Sequence, residues 1–381
     1  NEDSNYDEQF WDVLEQKAAG EHALLVSKTK PNPFGTPQFT VGVKTTTKTT
    51  LEHVGDGTTA KTAENDFAGT LAAGAEVELE KRSVVATSRD FDTQEALVAR
   101  LDELAGQLDG QSFDDLLAPH VAGWAERWNK ADVEINGDDE AQQGIRFNLF
   151  QLFSTYYGND SRLNISPKGF TGEKYGGATY WDTEAYCLPV YLGVADPEIS
   201  RNLLMYRYDQ LDGAYVNAQE QGLKGALFPM VTFNGIECHN EWEITFEEIH
   251  RNGDIAYAIY NYTNYTGDKS YVLHEGAKVL TEISRFWADR VHYSQRQNKY
   301  MLHAVTGPDE YDNNVNNDWY TNLLCQWTLK YTLQVLKEVD ADVAAKLNVT
   351  EDEKRKWQAI VDNMYLPYDK ERDIFPENDG F

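Results

Sequence analysis

The stretch Leu97-Val98-Ala99-Arg100-Leu101-Asp102-Glu103-Leu104-Ala105-Gly106-Gln107-Leu108-Asp109-Gly110 places leucine at every third or fourth position, and it lies where the periodicity of the chain changes. Apolar side chains at that spacing fall on one stripe of an α-helix. After Gly110 the stripe resumes with Leu116, Leu117, Val121, Trp124 and Trp128, so two helices are expected between Phe91 and Asn129, with the glycine as the break. Towards the amino end, from about Leu24 to Arg89, the period is two and Thr and Val abound, as in Phe39-Thr40-Val41-Gly42-Val43 and Glu76-Val77-Glu78-Leu79-Glu80. That alternation predicts antiparallel strands with one wet face. On the other side, the acidic stretch Asp132 to Glu140, which holds Gly137, marks a boundary before a second domain.

Beyond that boundary the helical period dominates. One helix carries Phe147, Leu149, Phe150, Leu152, Phe153 and Tyr157 and ends at Gly158; another runs through Tyr186 and Tyr191 with Pro189 as an expected kink. Further helices are expected through Leu203, Leu204, Leu211 and Ala218 up to Gly222, through Ile255, Ile259 and Tyr262, and through Val272, Val279, Ile283 and Trp287. The last two pass through Leu323, Leu324, Trp327, Val335 and Leu336, and then follow the capping box Thr350-Glu351-Asp352-Glu353. Long and short connections alternate. If consecutive helices are antiparallel neighbours, every long connection emerges at the same end, which makes that end a site and the other a scaffold. Stacked hairpins of this kind suit a closed double ring or an open solenoid, and the absence of a repeated motif favours the ring.

The 381 residues are enough for about two domains. With 63 Asp and Glu against 34 Lys and Arg the net charge is -29, a field that repels phosphate backbones and anionic headgroups, so neither nucleic acid nor a membrane surface is expected as a partner. No apolar run approaches the ~18 residues of a membrane span. The amino end lacks the basic and apolar regions of a signal peptide, and a cytoplasmic location with reduced Cys187, Cys238 and Cys325 is expected. The start on Asn1 without Met and the stop at Phe381 read as a piece of a longer polypeptide. The aromatic content, 9 Trp, 22 Tyr and 16 Phe, suits an enzyme that handles a neutral, hydroxyl-rich ligand.

Three polar-aromatic strings stand at the far ends of the three long connections. They are Tyr180-Trp181-Asp182-Thr183-Glu184, His239-Asn240-Glu241-Trp242-Glu243, and Thr306-Gly307-Pro308-Asp309-Glu310-Tyr311 continuing to Asp318. An indole covers the apolar face of a pyranose while an adjacent carboxylate accepts from vicinal hydroxyls. A capping acid beside a core Trp has the same sequence signature, so each string alone is ambiguous; three on one face point to a site. In the third string Gly307-Pro308 sets a turn, and Glu310 is expected to project into a cleft walled by Tyr311 and Trp319. Desolvation there and the charge of Asp309 would raise its pKa, as suits a general acid near neutral pH, although an Asp-Glu pair also commonly caps a helix. His239 and His250 lack metal-ligand spacing, and no glycine-rich phosphate loop follows a strand, so no metal or nucleotide cofactor is implied.

Phe147 to Leu152, Trp181 to Glu184, Glu237 to Glu243 continuing to His250, and Thr306 to Asn322 together resemble glycoside hydrolase family 65, nearest to its maltose-phosphorolysing bacterial members. The resemblance implies a multidomain α and β protein. Residues 1–90 would be the C-terminal part of an antiparallel β-sandwich, 91–131 a helical linker, and 132–381 an (α/α)6 barrel truncated on its C-terminal side. It also implies inverting phosphorolysis of maltose to β-glucose 1-phosphate and glucose, with inorganic phosphate as co-substrate and no cofactor. Glu310 would be the general acid, Trp181 and Asp182 would hold the non-reducing glucose, and Trp242 with Glu243 would lie near the acceptor. A homodimer is expected, and the phosphate-binding groups are expected beyond Phe381. Phosphorylases of trehalose, kojibiose or nigerose, a trehalase-like hydrolase on the same scaffold, and a non-catalytic carbohydrate-binding protein are the competing readings.

Overall fold

In the computed structural model, which describes residues 9–32, 36–169, 176–238 and 243–381, the chain divides into two units, Asn1–Ala125 and Glu126–Phe381. The first is built on β1 (Trp11–Ala19), β2 (His22–Thr29), β3 (Thr40–Thr49), β4 (Glu52–Thr58), β5 (Ala63–Ala68) and β6 (Leu79–Thr87). Four of these form an antiparallel sheet in the order β1-β2-β3-β6, and β4 pairs with β5. Strand β1 lies ahead of the alternating stretch recognised in the sequence. A register shift between Val13 and Glu15 explains why: a bulge breaks the two-residue period that alternation relies on. The strand expected from Glu76 begins only at Leu79.

The leucine stripe becomes α1 (Gln94–Asp109), capped by the Thr93 hydroxyl accepting from the Ala96 N–H and closed at Gly110. Leu97 and Leu101 bury themselves against Val84 and Ala86 of β6, with Leu24, Phe91, Leu104 and Leu108 around them. The helix comes close enough to β3 that a Cβ on Gly42 would stand 2.5 Å from Leu97 Cδ2, so only glycine fits there. The second stripe is α2 (Phe113–Ala131).

The second unit is helical. It contains α3 (Asp139–Thr155), a π-helical turn at Thr183–Cys187, α4 (Leu188–Val194), α5 (Pro197–Asp209), α6 (Leu211–Glu220) and the short α7 (Ile244–Glu247). Then follow α8 (Arg251–Thr266), α9 (Ser270–Leu273), α10 (Glu275–Arg290), the hairpin β7 (His292–Ser294) and β8 (Lys299–Met301), α11 (Trp319–Val335), α12 (Ala341–Leu347) and α13 (Glu351–Asn363). Pro189 does not kink a helix. It sits in a continuous helical run, Thr183 to Val194, just after the π-helical turn, whose wider hydrogen-bond spacing accommodates a residue without an N–H. Two runs that read as single helices are each divided, at Gln210 and at His274. The capping box of α13 forms as expected, Thr350 and Glu353 bonding reciprocally.

Helix α10 carries the centre of this unit's core. Val279, Leu280, Ile283, Phe286 and Trp287 are wholly buried against α5, α8, α11 and α13. Each such side chain contributes roughly 1.5–3 kcal/mol of transfer free energy. Helices α8 and α11 cross closely at Gly253, where a Cβ would meet Leu324 Cβ at 2.6 Å. That approach brings the amino end of α11 beside the first turn of α8, and with it the side chains of the site. The architecture is thus mixed α and β, an N-terminal antiparallel sheet followed by a helical domain.

Candidate active site

Three segments far apart in the sequence end on one cavity of about 290 Å³, near the lower end of the size range of small-molecule sites. Trp181 and Tyr186 come from the first, Asp254 and Tyr257 from the start of α8, and Pro308 and Tyr320 from the third. A larger groove, about 720 Å³, lies in the first unit beside Leu79, Leu108, Phe113 and Leu117. Its floor is aliphatic and no indole stands beside a carboxylate there, so the smaller cavity is the candidate.

The first segment is held from behind. Thr183 Oγ1 donates to the Ile165 carbonyl at 2.6 Å, and the bridge Thr179–Thr232 ties this segment to the second. Arg207 of α5 grips the buried Glu184 through two bonds, Nε to Oε1 at 2.7 Å and Nη2 to Oε2 at 2.9 Å, and also donates to the Tyr180 carbonyl at 3.2 Å. A bidentate guanidinium fixes orientation as well as charge, so Trp181 and Asp182 are presented on a rigid turn. Arg251 does the same for the second segment, donating to the carbonyls of Phe228, Glu248 and Thr245.

Between these segments lies a buried cluster. His250 Nδ1 is 2.7 Å from Asp254 Oδ2, and Nε2 is 3.4 Å from Glu248 Oε1, an ion-pair contact without hydrogen-bond geometry. The Tyr320 hydroxyl donates to the other oxygen of Asp254. The imidazole meets Trp181 edge-on, with centroids 4.7 Å apart, and meets Tyr320 at 5.4 Å. Burial opposes the charged imidazole, but the Asp254 hydrogen bond and the Glu248 carboxylate outweigh it and raise His250 to about 9. The ring is therefore a fixed cation at neutral pH. Burial pushes Tyr320 well up, and the Asp254 charge adds to it, so this hydroxyl stays a donor. Asp182, half-buried, is raised by desolvation and by the charges of Glu248 and Asp254.

Glu310 sits on the exposed loop before α11. Its carboxyl nevertheless faces the cluster: partial desolvation, then the charges of Glu248 and Asp182, raise its pKa, against the opposing pull of His250. The expected direction is found, with the expected desolvation as its largest cause; the like charges are those of Glu248 and Asp182 and not that of Asp309, which turns its carboxyl to the Tyr311 N–H. The expected aromatic walls are absent. Tyr311 is fully exposed, and Trp319 packs on Phe375 at 5.3 Å because the Trp319 N–H is drawn to the Glu377 carbonyl. Trp181, Tyr257 and Tyr320 line the cavity in their place.

The helix-capping alternative is realised at Asp318, which accepts from the Thr321 N–H at the start of α11. It is not realised at Asp182 or Glu243, neither of which caps the turn or helix it precedes. Glu243 is exposed just ahead of α7, and Trp242, with His239, lies outside the described residues. Sequence reasoning set His250 aside because it lacks metal-ligand spacing, and passed over Asp254, Glu248 and Tyr320. The available signal was the His250–Asp254 spacing of four, which puts both on one face where a helix begins. Among the described residues no group of three or more His, Cys, Asp or Glu side chains is arranged to hold a metal ion.

Residues 146–381 match the central catalytic domain of glycosyl hydrolase family 65, and residues 1–127 match the N-terminal domain of the same family. The chain is 56% identical to maltose phosphorylase of Bacillus subtilis over its whole length, covering 50% of that protein. It is 38% identical to α,α-trehalose phosphorylase of Thermoanaerobacter brockii, with 77% of the chain and 39% of the relative aligned. A solved structure titled "Putative kojibiose phosphorylase from human microbiome" matches with TM-score 0.81 and 28% identity, over 97% of this chain and 49% of that one. The chain thus spans about half the length, or less, of the relatives it matches. It belongs to glycosyl hydrolase family 65.

Proposed function

From that membership, we propose that the protein carrying this chain is an inverting disaccharide phosphorylase that converts maltose and inorganic phosphate into β-D-glucose 1-phosphate and D-glucose. The observation that supports this most is the convergence of Trp181, Tyr257, Tyr320 and Pro308 on one cavity, with Glu310 two residues after Pro308 and its pKa raised by partial desolvation and by the charges of Glu248 and Asp182. In this reading Glu310 protonates the glycosidic oxygen as the C1–O bond breaks. A phosphate oxygen forms the new bond to C1 from the opposite face, which inverts the anomeric centre. An inverting hydrolase would need a second carboxylate ~6.5–9.5 Å away to activate water. A phosphate anion is already a nucleophile and makes that base unnecessary.

Trp181 and Asp182 hold the non-reducing glucose, the indole on its C–H face and the carboxylate on its hydroxyls; Trp242 and Glu243 serve the acceptor glucose. The finer architecture in this proposal is a β-sandwich, a helical linker and helices of an (α/α)6 barrel, in a cytoplasmic homodimer that needs no metal or organic cofactor. The test is a product assay on the full-length protein. β-Glucose 1-phosphate should form from maltose only when phosphate is present, and Glu310→Gln should lower turnover by ~10²-fold or more while sugar binding persists. Glucose release independent of phosphate, or near-normal turnover of Glu310→Gln, would overturn the reading.

A further inference from the structure

The loop that carries Glu310 is closed by a residue from another element. Glu247, at the end of α7, accepts with the single oxygen Oε2 from the Thr306 hydroxyl at 2.9 Å and from the Asn314 N–H at 3.1 Å. Its carbonyl also accepts from the Thr306 N–H at 3.1 Å. Just outside these contacts Val305 and Val315 pair as a two-way bridge, with bonds of 3.0 and 2.8 Å. Thr306 is buried and Asn314 holds the left-handed conformation at φ 53°, so both ends of the loop depend on specific partners. Between them Glu310 is exposed, and among the described residues no hydrogen bond ties its carboxyl.

We propose that Glu247 is the positioning residue of the acid loop: one carboxylate oxygen joins the loop's two ends and thereby sets where Glu310 stands over the cavity. This rests on Glu310 being the general acid. Glu247 also ends the single-turn helix that Glu243 immediately precedes, so the proposed acceptor-side residue and the tie of the acid loop stand at opposite ends of α7. A misplacement of ~1 Å at a reacting group costs about 10²-fold in rate, and with the Val305–Val315 bridge still holding the loop's base, loss of the Glu247 tie need shift Glu310 by no more than that.

The experiment compares two donors in the full-length protein, maltose and α-glucosyl fluoride, both with inorganic phosphate. Fluoride departs without needing a proton, so a defect in acid placement affects only maltose. For Glu247→Ala the expected result is a kcat on maltose lowered about 10²-fold with KM little changed, and a near-normal rate on the fluoride. Glu247→Gln keeps an acceptor oxygen and should retain most activity. Thr306→Val removes the hydroxyl that donates to Glu247 and also accepts from the Asn314 N–H at 3.3 Å, leaves the Glu247–Asn314 bond in place, and should lose about tenfold on maltose alone; it carries the test if Glu247→Ala fails to fold. Normal kcat on maltose in Glu247→Ala, or equal loss on both donors in the soluble variants, would overturn the proposal. Glu310→Gln run in parallel separates the two ideas: if it too is spared on the fluoride and lost on maltose, the acid assignment stands whatever Glu247 does.

Discussion

Glu184 and Glu310 belong to the same end of the helical unit and have opposite surroundings. Glu184 is 2% exposed and held by two N–H groups on one edge of a guanidinium. Glu310 is exposed and, among the described residues, has no hydrogen bond to its carboxyl, while its neighbours are acids. Burial pushes the first carboxyl, Glu184, up, but it cannot take up a proton without leaving Arg207 buried and uncompensated, and the bidentate pair holds its charge. The second has a proton affinity set by like charges nearby and by partial desolvation, and solvent can reload it. In the proposed mechanism the same side chain thus becomes scaffold or reagent according to whether a guanidinium grips it or it stands exposed and untied.

The strongest way to break that contrast is to remove one partner of the locked pair. Arg207→Met should destabilise the protein by about 3–5 kcal/mol in a urea titration, because it strands a buried carboxylate. The double variant Glu184→Leu/Arg207→Met should recover most of the loss. Glu310→Gln should leave stability within about 0.5 kcal/mol of wild type while abolishing turnover. If Glu310→Gln unfolds as readily as Arg207→Met, the distinction between scaffold and reagent is lost.

His250 offers a second test, through pH. Its folded pKa, about 9, lies above the usual 6.5 of a free imidazole, so the imidazolium binds its proton more tightly in the folded state. The stabilisation is fully present below about pH 6.5 and is lost as pH rises towards 9; it is on the order of 3 kcal/mol. The groups facing the ring are Asp254 and Glu248 on its own chain segment, Trp181 from the first segment and Tyr320 from α11. Unfolding free energies measured from pH 6 to 9 should fall more steeply for wild type than for His250→Gln. Parallel curves would show that the ring is neutral in the folded protein.

What the sequence disclosed and what it hid follow from the range of each interaction. The leucine stripe of α1 and the Thr350 capping box depend on residues within one or two turns, and both are legible. Trp181 and Asp182 are legible because adjacent residues of two useful chemistries stand together. Strand β1 is hidden by its bulge, and β7 and β8 by being three residues long, too short for a period to show. The expected walls were misplaced because Tyr311 and Trp319 adjoin Glu310 only along the chain, whereas Tyr320 and Trp181, distant in sequence, are brought together around His250 and line the cavity. The His250 cluster joins α8 to a tyrosine 66 residues away, a pairing with no local trace.

Tyr320 gives the finest version of the comparison, because it belongs to both environments: its ring lines the cavity while its hydroxyl is bonded to the fixed charge of Asp254. Tyr320→Phe keeps the ring and removes only that donor. A hydrogen bond to a charged acceptor is worth about 1.5–3 kcal/mol, and Asp254 keeps its contact with His250, so a loss near the lower value is expected in denaturant unfolding. With the ring still in place the cavity wall is unchanged, and if the proposed site holds, KM for maltose in the full-length protein should move less than about threefold, a change worth under 1 kcal/mol. A large rise in KM with stability intact would move the Tyr320 hydroxyl from the scaffold to the sugar, and with it the line between the fixed and the reactive halves of the site.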